Sequence, residues 1–156
     1  LSVGRYAPGA CSSPTRGVFA GGAGPVNVID YITIATTGNA SDFGDLSIVN
    51  YGLAGCSSTT RGIFSGGYRS GFLNVMSYVT IATTGNSTNF GVLTVKRYTP
   101  GACSSTIRGV WGGGESYTNV LDYVTINTTA DATDFGDLTV ARKGNAACSD
   151  VHGGLA

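Results

Sequence analysis

Short runs of apolar and β-branched residues, separated by glycine and small polar residues, follow one another along the chain. In one such run Val28, Ile32 and Ile34 fall on one face of an extended strand. Ile29 and Tyr31 fall on the opposite face, so both faces are partly apolar, as in a sheet that is covered on both sides. No segment shows the sustained 3.6-residue apolar period of a helix. The pattern predicts an all-β protein whose sheets pack face to face.

The same set of runs recurs with a period of about 46 residues. Cysteines mark the period, with spacings of 45, 47 and 45, at Cys11, Cys56, Cys103 and Cys148. Turn-forming Gly, Asn and Asp residues separate the runs and divide each unit into four predicted strands. In the first unit these strands are predicted at residues 10–13, 16–22, 27–34 and 43–48. A fixed period of this length is typical of repeat architectures, which present one surface several times.

The whole sequence, residues 1–156, is therefore predicted to be one repeat domain. Three units span about residues 5–49, 50–96 and 97–141, and a partial fourth unit occupies residues 142–156. The opening Leu1-Ser2-Val3 matches the end of a unit, as in Leu46-Ser47-Ile48. We expect the array to be completed by a second copy of the chain or by neighbouring repeats of a longer one.

The features that recur in the units resemble the kelch repeat. A double glycine closes the second strand, a tyrosine lies in the third, an aromatic residue opens the fourth, and an arginine follows it. These last three features lie at Tyr31, Tyr78 and Tyr123, at Phe43, Phe90 and Phe135, and at Arg5, Arg97 and Arg142. The units differ from kelch in being shorter than roughly 50 residues, in having Phe where kelch units usually have Trp, and in having Asn50 at one arginine position.

The resemblance implies four-stranded blades of a β-propeller, with the first strand of each blade nearest the axis. The nearly verbatim copies are also similar to the kelch-like arrays of marine phage virion and tail-fibre proteins. That similarity implies an extracellular or virion location. Three units are fewer than the 4–8 blades of most propellers, so the segment would be completed by oligomerisation or by a longer chain. A closed three-fold β-prism or β-trefoil is the alternative fold.

The composition narrows the choice of partners. Only 12% of residues are charged and the net charge is zero, so the chain offers no basic surface to nucleic acid. No apolar run approaches the roughly 20 residues of a membrane span, and we expect no membrane insertion. Weak charge favours association between copies. Self-association or contact with neighbouring repeats is therefore the expected partnership, with a cell-surface glycan as a possible ligand.

The cysteine and acidic residues do not form a convincing metal site or disulfide pattern. Zinc sites use close pairs such as Cys-x2-Cys, which the chain lacks, and we expect one small, free, buried cysteine per unit. Asp131, Asp134 and Asp137 could contribute to a calcium site, but the second unit has no matching set, and Asx turns explain them. We predict no metal and no cofactor.

Two groups of residues are candidates for ligand binding. The arginines at the start of the second strands could ring a channel mouth and bind carboxylates, or could instead bond backbone carbonyls of a neighbouring unit. Aromatic residues in or near the variable loops could stack on sugars. The candidates are Arg16, Arg61 and Arg108, with Tyr68, Trp111 and Tyr117.

The catalytic inventory is poor. The one histidine is His152, so a histidine-based triad is not expected, and no catalytic motif is present. We therefore predict a non-enzymatic structural or binding repeat module, of a virion fibre or other extracellular assembly, that mediates assembly or glycan attachment. A stand-alone carbohydrate-binding lectin is the alternative, and a propeller glycosidase with paired carboxylates is the third possibility.

Overall fold

A computed structural model of the chain describes residues 1–24 and 26–149. Over these residues it consists of three four-stranded antiparallel sheets, each made from four consecutive strands in sequence order. Sheet 1 contains β1 (Gly9–Ser12), β2 (Arg16–Ala20), β3 (Val28–Thr33) and β4 (Ser41–Asp45). Sheet 2 contains β5 (Ala54–Ser57), β6 (Arg61–Ser65), β7 (Leu73–Thr80) and β8 (Thr88–Arg97). Sheet 3 contains β9 (Gly101–Ser104), β10 (Arg108–Gly112), β11 (Val120–Thr125) and β12 (Thr133–Asp137).

The prediction of an all-β chain with three four-stranded units is therefore confirmed, although the three sheets do not close into a ring. The part of the chain that the structure describes contains no helix, and hence none long and apolar enough to cross a membrane. His152 and the rest of residues 150–156 lie outside the described residues, so the end of the predicted fourth unit is not placed.

Glycines set the ends of the second strands. The predicted strand 16–22 stops at Ala20, because Gly21 and Gly22 have φ angles of 62° and 122°. Residues that carry a Cβ atom rarely adopt such angles. The fourth strand begins at Ser41, two residues before the predicted start at Phe43. A register shift between Ile29 and Asp30 accompanies its pairing with β3.

The sheets stack on one another through opposite faces. We call front face the face of each sheet that carries its cysteine, and back face the other. Between sheets 1 and 2, Val18, Ile29 and Phe43 of the front face pack against Phe64 and Val79 of the back face. The equivalent cluster between sheets 2 and 3 contains Ile63, Met76, Phe90, Trp111 and Val124. Sheet 2 is thus buried on both faces, as the two-sided apolar pattern predicts. Sheet 1, whose third strand showed that pattern, is covered mainly on its front face, and Ile34 on its back is 51% exposed.

The first strands of the three sheets lie side by side. The Ser57 hydroxyl donates a hydrogen bond to the Ser12 carbonyl (2.7 Å), and the Ser104 hydroxyl donates one to the Ser57 carbonyl (2.9 Å). A Cβ atom at Gly55 would overlap the carbonyl oxygen of Ala10, so this approach depends on glycine. These strands, together with Ser149, line an open cavity of about 320 Å³.

Candidate functional site

The junction between sheets 2 and 3 contains a fully buried ion pair. Arg97, at the end of β8, donates from Nη2 to the Asp122 carboxylate on β11 (2.5 Å), and neither side chain has exposed surface. Arg97 Nη1 also donates to the carbonyls of Gly113 and Val120, and the Thr94 hydroxyl donates to Asp122. Burial lowers the pKa of the Arg97 guanidinium, and the Asp122 charge partly offsets that shift. The pair ties the end of one sheet to the back of the next.

A matching pair lies on the back of sheet 1. Arg5 Nη2 is 2.8 Å from the Asp30 carboxylate, again with both side chains fully buried. The Ser2 hydroxyl donates to the same carboxylate (2.6 Å), as Thr94 of sheet 2 donates to Asp122 of sheet 3. Residues 1–5 therefore occupy, on sheet 1, the place that residues 93–97 occupy on sheet 3.

The junction between sheets 1 and 2 uses neutral residues at the same positions. Asn50 stands at the arginine position, and its amide donates to the Gly66 carbonyl (2.7 Å), which corresponds to the Gly113 carbonyl bound by Arg97. Ser77 stands at the aspartate position and is buried. Both members of the charged pair are thus replaced together in this unit.

The three candidate arginines lie at the edges of the same junctions. Their guanidinium groups stack over the tyrosines of their own sheets, 4.3–4.5 Å from the ring centroids, where cation–π attraction is effective. Arg16 also donates to the Ile81 carbonyl (2.9 Å) and Arg61 to the Ile126 carbonyl (3.1 Å) of the next sheet. This is the structural alternative considered for these residues. Arg108 is exposed and stands on a sheet whose front face is covered only in part, by residues 142–147.

Loops between the third and fourth strands extend these contacts along the outer edge. The amides of Ser87 and Ala132 donate to the carbonyls of Asp45 and Val92 in the preceding sheets, both at 2.8 Å. The Asp131 carboxylate accepts from the Val92 amide (3.0 Å), while Asp134 accepts from the Gly136 amide (3.2 Å). The first bond joins two sheets and the second forms a local turn. Among the described residues, no group of three acidic, Cys or His side chains could hold a metal ion.

The front of sheet 3 is an open version of this junction. Phe43 and Phe90 are 2% and 1% exposed inside their junctions, whereas Phe135, at the same position of sheet 3, is 50% exposed. Val110 and Leu121 are only half-buried, although their equivalents in sheets 1 and 2 are fully buried. The surface formed by Val110, Leu121, Phe135 and Leu138 is hereafter the open front.

The back of sheet 1 is exposed in the complementary way. Ile34 is 51% exposed, while Ile81 and Ile126, at the same position in sheets 2 and 3, are 1% and 0% exposed. Phe19 is half-buried, unlike its fully buried equivalents Phe64 and Trp111. Inside the stack, a front face packs against a back face at two junctions. At the two ends of the stack, one front face and one back face of the same kind are exposed.

The candidate aromatic residues are not brought together. Trp111 is completely buried between sheets 2 and 3, so a ligand on the surface cannot stack on it; its burial corrects its expected placement near a surface loop. Tyr117 is 60% exposed and carries Lys143 over its ring at 5.1 Å. Tyr68 belongs instead to an aromatic cluster that the sequence did not single out.

This aromatic cluster comprises Tyr51, Tyr68, Phe72 and Tyr98. Tyr51 and Tyr98 meet edge to face at 5.6 Å, and Phe72 stacks parallel to Tyr98 at 6.2 Å. Phe72 is 37% exposed, so part of the cluster is open to solvent. Tyr51 and Tyr98 occupy the same position in successive units, which is the sequence signal that could have identified the cluster.

The thiols are free, and Cys11, Cys56 and Cys103 line the open cavity between the first strands. The expected buried cysteine is found fully only at Cys56, because Cys11 and Cys103 are half-buried and Cys148 is exposed. Burial raises the pKa of the Cys11 thiol to about 12, and it raises that of Cys56 well above its usual value, with the neighbouring thiols Cys11 and Cys103 adding to the shift. Because the thiolate is the reactive form, burial disfavours the reactive form of both groups. Cys56 instead packs against Gly109 of the next sheet, where a Cβ atom would approach its sulfur to 2.6 Å.

Comparison with known proteins adds no relative: no protein-family model matches the chain, and no curated protein matches its sequence. Besides the aromatic cluster, sequence reasoning missed Asp30 and Asp122, the partners of Arg5 and Arg97. The signal for them was present, because the second unit replaces both the arginine and the aspartate, by Asn50 and Ser77.

Proposed function

We propose that the chain is a non-enzymatic structural repeat module that assembles by stacking its sheets. Copies associate head to tail, with the open front of one covered by the back of sheet 1 of another, in an arrangement of the β-propeller kind. Residues 1–5 of the second copy, which lie on that back face, give up their place there to residues 138–142 of the first. Following the resemblance of the repeats, we place the module in a virion fibre or another extracellular assembly. Such a head-to-tail contact closes a ring when the rotation between copies allows it.

One observation carries this proposal: residues that are fully buried at both internal junctions are exposed at the two ends. Phe135 and Ile34 are each about half exposed, and their equivalents inside the stack are at most 2% exposed. Arg108 would reach the Ile34 carbonyl of a second copy just as Arg16 and Arg61 reach Ile81 and Ile126. The interface therefore has two internal precedents in the same chain.

Glycan attachment is a second candidate, and the aromatic cluster favours it. Partly exposed Phe72, together with the tyrosine rings of Tyr51, Tyr68 and Tyr98, offers apolar faces and hydroxyl groups at one surface. Rings of this kind present an apolar body and a polar tip to a ligand. The guanidinium groups of the arginine candidates already stack on tyrosine rings of the same chain, so these arginines support glycan attachment less directly.

Light scattering on the purified chain tests the proposed assembly. We expect a particle mass of at least two chains, each of 15.8 kDa. We expect Phe135→Asp to reduce the mass to that of a single chain, because the interface between copies would have to bury the aspartate charge. Phe72→Asp is the matched control, since it places the same charge on an exposed aromatic position away from the open front.

The same three samples separate the two functions on a glycan array. Assembly requires association of the unaltered chain that Phe135→Asp abolishes and Phe72→Asp preserves. A chain that stays at the single-chain mass at every concentration contradicts assembly. If that chain binds glycan and loses the binding in Phe72→Asp, the attachment function replaces it.

A further inference from the structure

At three places in the structure, the segment that precedes the first strand of a unit meets the back of a sheet. At each place two positions face each other, and the residue types at these two positions vary together. Arg5 meets Asp30, Asn50 stands with Ser77, and Arg97 meets Asp122. Each pair is either fully charged or fully neutral. We call these positions the arginine position and the aspartate position.

Burial explains why the two positions must match. The side chains of Arg5, Asp30, Arg97 and Asp122 have no exposed surface, and an isolated charge in such a place is far costlier than a paired one. An arginine opposite serine, or an aspartate opposite asparagine, would leave one charge buried without a partner. The residue at the arginine position therefore determines whether the sheet that covers it needs an aspartate or a neutral residue at the aspartate position.

The open front has its own arginine position, Arg142. Its side chain is exposed, and its Nε donates only to the nearby Val140 carbonyl (3.3 Å) among the described residues. Thr139 stands beside it where Ser2 and Thr94 donate to the aspartates. The carbonyl of Arg142 already accepts from the Gly114 amide, as that of Asn50 accepts from Gly22, so the backbone is in the same place as at the closed junctions.

We infer that the open front selects a further four-stranded unit of this repeat whose third strand carries an aspartate at the aspartate position, and discriminates against one that carries serine there. Arg142 and Thr139 supply the recognition, and Phe135 supplies the apolar area. This inference rests on the proposed stacking and adds a rule for which units may be neighbours. Units with the aspartate of the Asp30 or Asp122 units satisfy the rule when that aspartate is not already paired with Arg5 or Arg97, and a unit with the serine of the Ser77 unit does not.

An extended chain tests the rule. Residues 13–49 are added directly after Ser149 in place of residues 150–156, because Ser149 corresponds in register to Ser12. The added unit then begins after the first strand and has no Arg5 segment of its own to compete with Arg142. Four versions are compared: the extended chain, Arg142→Asn, Asp30→Ser in the added unit alone, and both changes together.

Calorimetry of the four versions gives the coupling between the two positions. We expect the extended chain to melt above the unextended one, and each single change to lower the melting temperature by about 6 °C or more. The double change, which recreates the Asn50 and Ser77 combination, should recover most of that loss.

The possible failures are distinguishable. If the extended chain gains stability but the two changes are additive, the added unit docks without selection, and the inference is overturned while the stacking stands. If extension gives no gain in melting temperature and Phe135→Asp has no effect on the extended chain, the open front is not a docking surface. The proposed function and the inference then fail together.

Discussion

Arg97→Ala and Asp122→Ala are each expected to lower the free energy of unfolding by about 3–5 kcal/mol. Either change leaves one charge of a fully buried pair without its partner, and the lost hydrogen bonds to the Gly113 and Val120 carbonyls or from Thr94 add to the cost. Urea unfolding followed by circular dichroism measures the effect. The loss should appear in the transition midpoint, with little change in slope.

The double variant Arg97→Asn with Asp122→Ser is the matched control. It installs at the junction between sheets 2 and 3 the residues that the chain itself uses between sheets 1 and 2, so it should be clearly more stable than either Arg97→Asn or Asp122→Ser alone. Additive losses in the double variant would show that the two positions act independently. That result would contradict the matching of arginine with aspartate.

Trp111→Ala is expected to destabilise the chain by about 3–5 kcal/mol, because it leaves a cavity between sheets 2 and 3. Trp111 is 0% exposed and packs with Ile63, Met76 and Phe90. Trp111→Phe should cost less than about 2 kcal/mol, since Phe64 fills the equivalent place in sheet 2. Denaturant unfolding of the two variants provides the comparison.

The same pair of variants separates a core role from a ligand-binding role. If Trp111→Ala unfolded at the same denaturant concentration as the unaltered chain, the residue would not be part of the core, and the hypothesis that it contacts a ligand would gain support. A large loss for Ala with a small loss for Phe supports the packing between sheets.

The sequence was sufficient for the architecture of each unit. The apolar runs predicted four strands per unit, and the double glycines marked the ends of the second strands. The two-sided pattern around Ile29 and Ile32 indicated burial on both faces, which holds for sheet 2 but not for the back of sheet 1. These features are local or strictly periodic, so a single unit and its copies suffice to interpret them.

The junction chemistry was harder to predict, because it joins residues about 25 positions apart in different sheets. Asp122 reads as an ordinary polar residue of a strand until Arg97 is placed beside it. Trp111 lies in β10, just before a variable loop. Only the packing of sheet 3 on sheet 2 shows that its side chain is buried. Tyr51 and Tyr98 likewise become neighbours only when successive units pack against each other in the fold.

Amide hydrogen exchange at Ala40, Ser87 and Ala132 tests most directly whether the units stack through equivalent contacts and leave one contact open. These residues occupy the same position in the three units, and the amides of Ser87 and Ala132 donate across the junctions to Asp45 and Val92. We predict slow exchange at Ser87 and Ala132, and fast exchange at Ala40 in single chains that becomes slow in assembled particles. In single chains, exchange at Ser87 and Ala132 as fast as at Ala40 would contradict the stacking of the sheets.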